Sequence, residues 1–211
     1  LECLLRLQQD YQLLSENNFF SFLFFFNVLV NYSSFMKKLR KINKKKGILF
    51  WVTGLSGSGK TTIAKKITKD IKKLYGPTVV ISGDSLRNMF NLKGYSYNER
   101  LTTVKKYCRL SKFLTSQKIN VIFAVIGMMK SIREWNRKNI DNYIEIYIKS
   151  EIKEIIKQKK KKIYFSSKKN LVGLDIKPEF PKKPDIILKN NFKTNVNELS
   201  KKLVGKIQKQ I

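Results

Sequence analysis

A chain of 211 residues, 42% of them apolar, is long enough for one domain with a real core, which excludes global disorder. Two distant cysteines, Cys3 and Cys108, and no histidine exclude a disulfide framework and any Cys/His zinc site; a reducing, cytoplasmic compartment fits best. The net charge of +29 comes from lysines spread along the whole chain with few arginines, which reads as compositional bias, so no nucleic-acid partner is expected, although a basic surface attracts anionic nucleotides.

The first 35 residues differ from the rest. FFSFLFFFNVLV (19–30) is nearly unbroken in apolar character, but a membrane span needs about 20 such residues. The basic run KKLRKINKKK follows, a flank of the kind that stays on the cytoplasmic side. Three readings are open: upstream sequence translated in error, a membrane anchor, or a targeting segment, the last opposed by Glu2, Asp10 and Glu16. Residues 1–35 are therefore set apart as non-core, 36–46 as a basic linker, and 47–211 as the folded domain. Membrane contact is expected only if residues 1–35 belong to the mature protein.

From Gly47 onward strand alternates with helix. ILFWVT (48–53) is a buried-strand run, and 61–74 has helical spacing with Ile63, Ala64, Ile67 and Ile71 on one face. Gly76-Pro77 ends that helix, and TVVIS (78–82) is a second strand. Residues 98–116 read as a long helix on which Cys108 and Phe113 pack into the core. NVIFAVIG (120–127) is a third strand, 131–140 a helix capped by Ser131, and YIEIYIK (143–149) an alternating strand. A helix over 151–159, a strand over 184–189 and a helix over 194–210 complete the series. This order predicts an α/β fold of three layers, with a central, mostly parallel sheet covered on both faces.

Gly54-Leu55-Ser56-Gly57-Ser58-Gly59-Lys60-Thr61 fits the phosphate-loop pattern G-x-x-x-x-G-K-S/T at every position, with an apolar strand before it and a helix after it. Glycines let backbone N–H groups turn toward one point, and the following helix presents its N-terminus there. The candidate ATP-binding residues are Gly54 to Thr61 together with Thr62. Lys60 reaches the transferring phosphate, and the Thr61 hydroxyl is the candidate Mg²⁺ ligand. No N-K-x-D guanine motif and no Walker-B aspartate are present. An acid instead follows the second strand, in Ser82-Gly83-Asp84-Ser85-Leu86-Arg87. Asp84 is placed to hold Mg²⁺ through water or to take the proton of an attacking hydroxyl, and Arg87 to clamp an anionic acceptor. The plainer alternative is a helix capped by Asp84 with Arg87 exposed.

These blocks, in this order, resemble the adenylylsulfate kinases over residues 47–205. FWVTGLSGSGKTT is very close to that family's phosphate loop, and SGDSLR resembles its D-G-D-x-x-R. GYSYNER (94–100) is similar to G-F-S-x-x-D-R, KNLVGLD (169–175) to K-N-F-T-G-I-D, and PEFPKKPDIIL (178–188) to the segment that follows. The resemblance implies a P-loop nucleotide-kinase fold, ATP as donor with Mg²⁺, and phosphorylation of the ribose 3′-hydroxyl of adenosine 5′-phosphosulfate, within sulfate assimilation. By position, Lys60 and Asp84 are the catalytic candidates. Asp84, Arg87, Tyr95, Arg100, Arg133, Lys169, Asn170 and Leu171 are the acceptor-binding candidates, and residues 159–176 form a lid. The resemblance also implies a possible homodimer.

The departures cluster on the acceptor side. Ser82 stands where the family has its first Asp, Thr103 where it has Asn, and Lys105-Lys106 where it has two arginines. Gly127-Met128-Met129-Lys130 replaces S-P-Y/F-R, and Leu171 replaces a Phe whose ring helps sandwich the acceptor's adenine. Loss of one stacking face costs about 1–3 kcal/mol. Three alternatives follow: a kinase for another nucleotide, such as a cytidine diphosphate derivative in surface-polysaccharide modification; a nucleotide-dependent nucleic-acid-binding module, whose ATP hydrolysis nucleic acid would stimulate; or a degenerate kinase with a structural role. Lys60→Ala is expected to abolish turnover in an ADP-release assay, and normal turnover in that variant would sink the phosphate-loop reading.

Overall fold

The computed structural model describes residues 42–158 and 171–211. The expectations for residues 1–35, the basic linker up to residue 41, and lid residues 159–170, including Lys169 and Asn170, lie outside these. Five strands form one sheet: β1 (Leu49–Thr53), β2 (Thr78–Ser82), β3 (Asn120–Val125), β4 (Tyr143–Lys149) and β5 (Ile186–Lys189). Their order is β2-β3-β1-β4-β5, and every pairing is parallel. Parallel neighbours need crossovers, which α1 (Lys60–Tyr75), α2 (Gly83–Met89), α3 (Tyr97–Ser116), α4 (Lys130–Asn139), α5 (Ile152–Lys157) and α6 (Val196–Gln208) accompany. This is the three-layer α/β architecture expected from the alternation.

Side-chain alternation along β1 divides the core in two. Phe50 and Val52 join Ile63, Ile67 and Ile71 of α1 and Leu199, Leu203 and Ile207 of α6 on one face. Leu49 and Trp51 join Val104, Tyr107 and Cys108 of α3 and Ile132 of α4 on the other. Each such side chain removed from water contributes about 1.5–3 kcal/mol. Burial pushes the Cys108 thiol up to about 12, which leaves it unreactive at neutral pH. Among the described residues no helix is long and apolar enough to cross a membrane.

Several details differ from the sequence reading. Phe113 is 61% exposed, because Leu110 and Leu114 take the inner face of α3. The third strand stops at Val125, and beyond it Gly127 turns to a left-handed φ of 45°, where a Cβ would stand 3.0 Å from Trp51 Nε1. α2 is capped by Ser82, whose Oγ accepts from the Ser85 amide at 3.0 Å, so Asp84 lies in the first turn instead of at the cap. α4 begins at Lys130 with no local side-chain cap, and Ser131 is inside the helix. The last strand begins at Ile186, past Pro184, which has no N–H to give a ladder.

β4 alternates in sequence, yet both its faces are buried, because α4 covers the face that carries Glu145. That carboxylate is 4% exposed and lies 3.1 Å from Arg133 Nε and 3.2 Å from Arg137 Nη2. Arg137 also pairs with Asp185 at 3.1 Å, and Asp185 accepts from the Glu145 amide at 2.8 Å. Burial pushes the Glu145 carboxyl up; the two guanidiniums oppose that shift. Removal of the carboxylate strands the buried Arg133 guanidinium, while Arg137 keeps Asp185, so Glu145→Ala is expected to lower unfolding free energy by about 3–5 kcal/mol in urea titrations.

Candidate active-site cleft

The loop between β1 and α1 adopts the expected cradle. Gly57 and Gly59 take left-handed φ values of 77° and 91°, and a Cβ at Gly59 would stand 2.9 Å from Asn190 Nδ2. α1 has no acidic residue in its first turn and no side-chain cap, so its N-terminal N–H groups face the cleft as an anion site. Lys60 opens α1, and its Nζ donates to the Leu55 carbonyl at 2.6 Å. Leu55 is buried in a small cluster with Met128, Tyr147 and Val172. Gly54 packs tightly, since a Cβ there would come 2.7 Å from the Ile148 carbonyl.

Asn190, just past β5, has no counterpart in the motifs above. Its Nδ2 donates to the Ser58 carbonyl at 3.0 Å, and its Oδ1 accepts from the Phe192 amide at 3.0 Å. This ties the phosphate loop to the segment after the last strand. The available signal was positional: polar residues at the carboxyl end of a parallel strand sit where such folds bind ligands.

A cavity of about 480 Å³ opens above the carboxyl ends of the strands. Ser56, Gly57, Gly59, Lys60, Thr61 and Thr62 form its floor, with Phe192 and Val196 beside them. Asp84 and Arg87 of α2, with Tyr95 and Arg100, form one side; Gly127, Met128 and Met129 form another. Leu171, Val172, Ile176 and Lys177, at the start of the second described segment, line a third side.

The cationic side is built from its own backbone. Arg87 Nη1 donates to the carbonyls of Leu92 at 3.0 Å and Gly94 at 2.8 Å, and Arg100 Nε donates to that of Tyr95 at 2.8 Å. The two guanidinium carbons lie 4.6 Å and 5.2 Å from the Tyr95 ring centroid. Burial first, and the neighbouring Arg87 charge second, lower the affinity of Arg100 for its proton. Two cations held together in this way favour an anion between them and the phosphate loop.

The structure thus brings Lys60, Thr61, Thr62, Asp84, Arg87, Tyr95, Arg100 and Leu171 to one cavity. It does not bring Arg133 there: that side chain is 7% exposed and turns under the sheet to Glu145. Lys105 and Lys106 are exposed on α3 and do not line the cavity. Leu171 is buried, its amide donating to Asp175 Oδ2 at 2.8 Å at the start of a tight turn.

The donors fit Mg²⁺. Thr61 and Asp84 present a hydroxyl and a carboxylate to one cavity, both hard oxygen ligands. Among the described residues no group of three acidic or sulfur ligands gathers, and a magnesium ion that keeps phosphate and water ligands needs none.

Residues 46–189 match the protein family described as adenylylsulphate kinase. A cytidine diphosphoramidate kinase of Campylobacter jejuni is 32% identical over 168 residues, 78% of this chain and 98% of the relative. An adenylyl-sulfate kinase of Bacteroides thetaiotaomicron is 29% identical over 173 residues, 77% of this chain and 86% of the relative. In fold, the chain is similar to the Mycobacterium tuberculosis APS kinase solved with AMPPNP and APS, with a TM-score of 0.69 at 22% identity over 77% of this chain and 98% of that one. Asp84→Asn is expected to lower kcat by about 10²-fold while ATP affinity, read by nucleotide titration, changes little; an unchanged rate removes Asp84 from the chemistry.

Proposed function

The chain belongs to the adenylylsulphate kinase family, a family of nucleotide kinases, and within it we propose that this kinase phosphorylates the ribose 3′-hydroxyl of a cytidine diphosphate derivative. The observation that carries this reading is Leu171. It lines the cavity as a buried aliphatic wall where the resemblance calls for a ring over adenine. One lost stacking face removes about 1–3 kcal/mol per base, and a purine, with the larger π surface, has more to lose than a pyrimidine. Met128 and Met129 add two soft apolar side chains to the same cavity. The Campylobacter relative, which the chain matches over nearly all of that relative's length, supports the same choice. Adenylylsulfate is the second reading, supported by the family match and by the Bacteroides relative.

In either reading the chemistry is the same. The phosphate loop and the α1 N-terminus hold the ATP phosphates, and Lys60 neutralises charge that develops on the γ-phosphoryl group. Arg87 and Arg100 hold the anionic 5′ group of the acceptor, which leaves its ribose between them and the loop. Asp84 accepts the proton of the 3′-hydroxyl as that oxygen bonds to the γ-phosphorus and the bridging bond to ADP breaks. Thr61 would hold Mg²⁺ beside the phosphates, where the ion would supply charge neutralisation.

The test is ADP release by the full chain with cytidine diphosphoramidate or adenylylsulfate as acceptor. A kcat/KM at least about tenfold higher for the cytidine compound is expected, from one stacking face. The reverse preference would establish the second reading, and turnover of neither would reject both. Leu171→Phe is expected to lower KM for adenylylsulfate about tenfold, since it restores that face.

A further inference from the structure

Glu179 has no role in the chemistry above, yet it touches three separate pieces of the acceptor side. Its Oε2 accepts from the Lys130 amide at 2.6 Å. Its Oε1 accepts from the Tyr97 hydroxyl at 3.4 Å. Its own amide donates to the Met128 carbonyl at 3.0 Å. Lys130 opens α4, Met128 belongs to one cavity wall, Tyr97 opens α3 and also lines the cavity, and Glu179 follows the wall formed by Leu171, Ile176 and Lys177.

The local chemistry of α4 accounts for the carboxylate. Met129 supplies no side-chain cap, and the first turn carries no acid. The first N–H groups of a helix need partners, and the positive end of its dipole favours an anion. Glu179 meets both needs from 49 residues away in sequence, through a short charge-assisted hydrogen bond. On the other oxygen, burial first and the Glu179 charge second push the Tyr97 phenol further up, and its hydroxyl is the donor.

We propose that Glu179 is a positioning residue: a carboxylate latch that pins the chain returning from the lid to the start of α4 and so sets the width of the acceptor pocket. The pinned segment ends the stretch that carries Leu171, and the pinning point adjoins Met128 and Met129. A shift of one wall against the other changes the slot in which the acceptor's base lies, while α1 and its N-terminus, on the far side of the sheet's central strand, are not among the groups that Glu179 touches. The latch rests on the reading of this end of the cleft as the acceptor pocket. It does not depend on which base occupies it.

The experiment uses the full chain as wild type, Glu179→Gln and Glu179→Ala, with KM measured for the acceptor and for ATP separately. Glu179→Ala is expected to raise acceptor KM about tenfold, the worth of a lost charge-assisted bond, with ATP KM changed by less than about twofold. Glu179→Gln keeps an accepting oxygen without the charge and falls between the two. Equal rises in both KM values, or an unchanged acceptor KM, would overturn the latch. Hydrogen exchange on the same proteins, with no substrate added, reads the latch directly. Exchange over 128–132 and 171–180 is expected to quicken about tenfold in Glu179→Ala while α1 stays protected. Unchanged protection at Lys130 overturns the proposal. If the wild type turns over neither nucleotide, the acceptor reading falls and the exchange result alone decides the latch. If Glu179→Ala fails to fold, Glu179→Gln carries both measurements.

Discussion

The cleft depends on the central place of β1. Flanked by β3 and β4 and covered on both faces, β1 has no edge and no solvent-facing side. Its carboxyl end is therefore fixed to within the tolerance of a packed core. The loop that leaves it has one short path into α1, and the glycines at 57 and 59 let the backbone take that path with its N–H groups turned inward. Were β1 an edge strand, the same loop sequence would have no rigid base to aim from.

The strands on either side, edges included, carry the rest of the cleft. β2 leads into α2 with Asp84 and Arg87, β3 into Gly127-Met128-Met129, and β5 into Asn190 and Phe192. Charge is arranged along the same lines. Cations that face the cavity, Arg87 and Arg100, are positioned by backbone carbonyls. Cations turned to the other end of the sheet, Arg133 and Arg137, meet carboxylates and act in stability instead.

How far the sequence could be read follows the range of the forces involved. β2 and β4 have the bounds that their apolar runs predict, and the phosphate loop was legible because its chemistry demands glycine, lysine and threonine at fixed offsets. The family resemblance rested on similar local blocks, and it singled out Tyr95, Arg87 and Arg100, which line one side of the cavity. Arg133 went elsewhere because its direction is decided by Glu145, a residue on another element whose burial no local pattern announces. Asn190 and Glu179 were missed for the same reason. Each acts on a backbone group 49 or 132 residues away in sequence, and neither is part of a short-range pattern. Phe113 was misplaced because Leu110 and Leu114 offered the helix a second apolar stripe.

The parallel sheet also has a consequence for the birth of the protein. β1 is made first, but its two hydrogen-bonding neighbours begin at Asn120 and Tyr143. Until both have left the ribosome, the run Leu49 to Val52 has nothing to pair with and remains sticky to other chains. Closing such distant pairings makes folding slow relative to a helical bundle of the same size. The nucleotide cradle is thus synthesised before the two strands that support it and takes shape only once they have paired with β1.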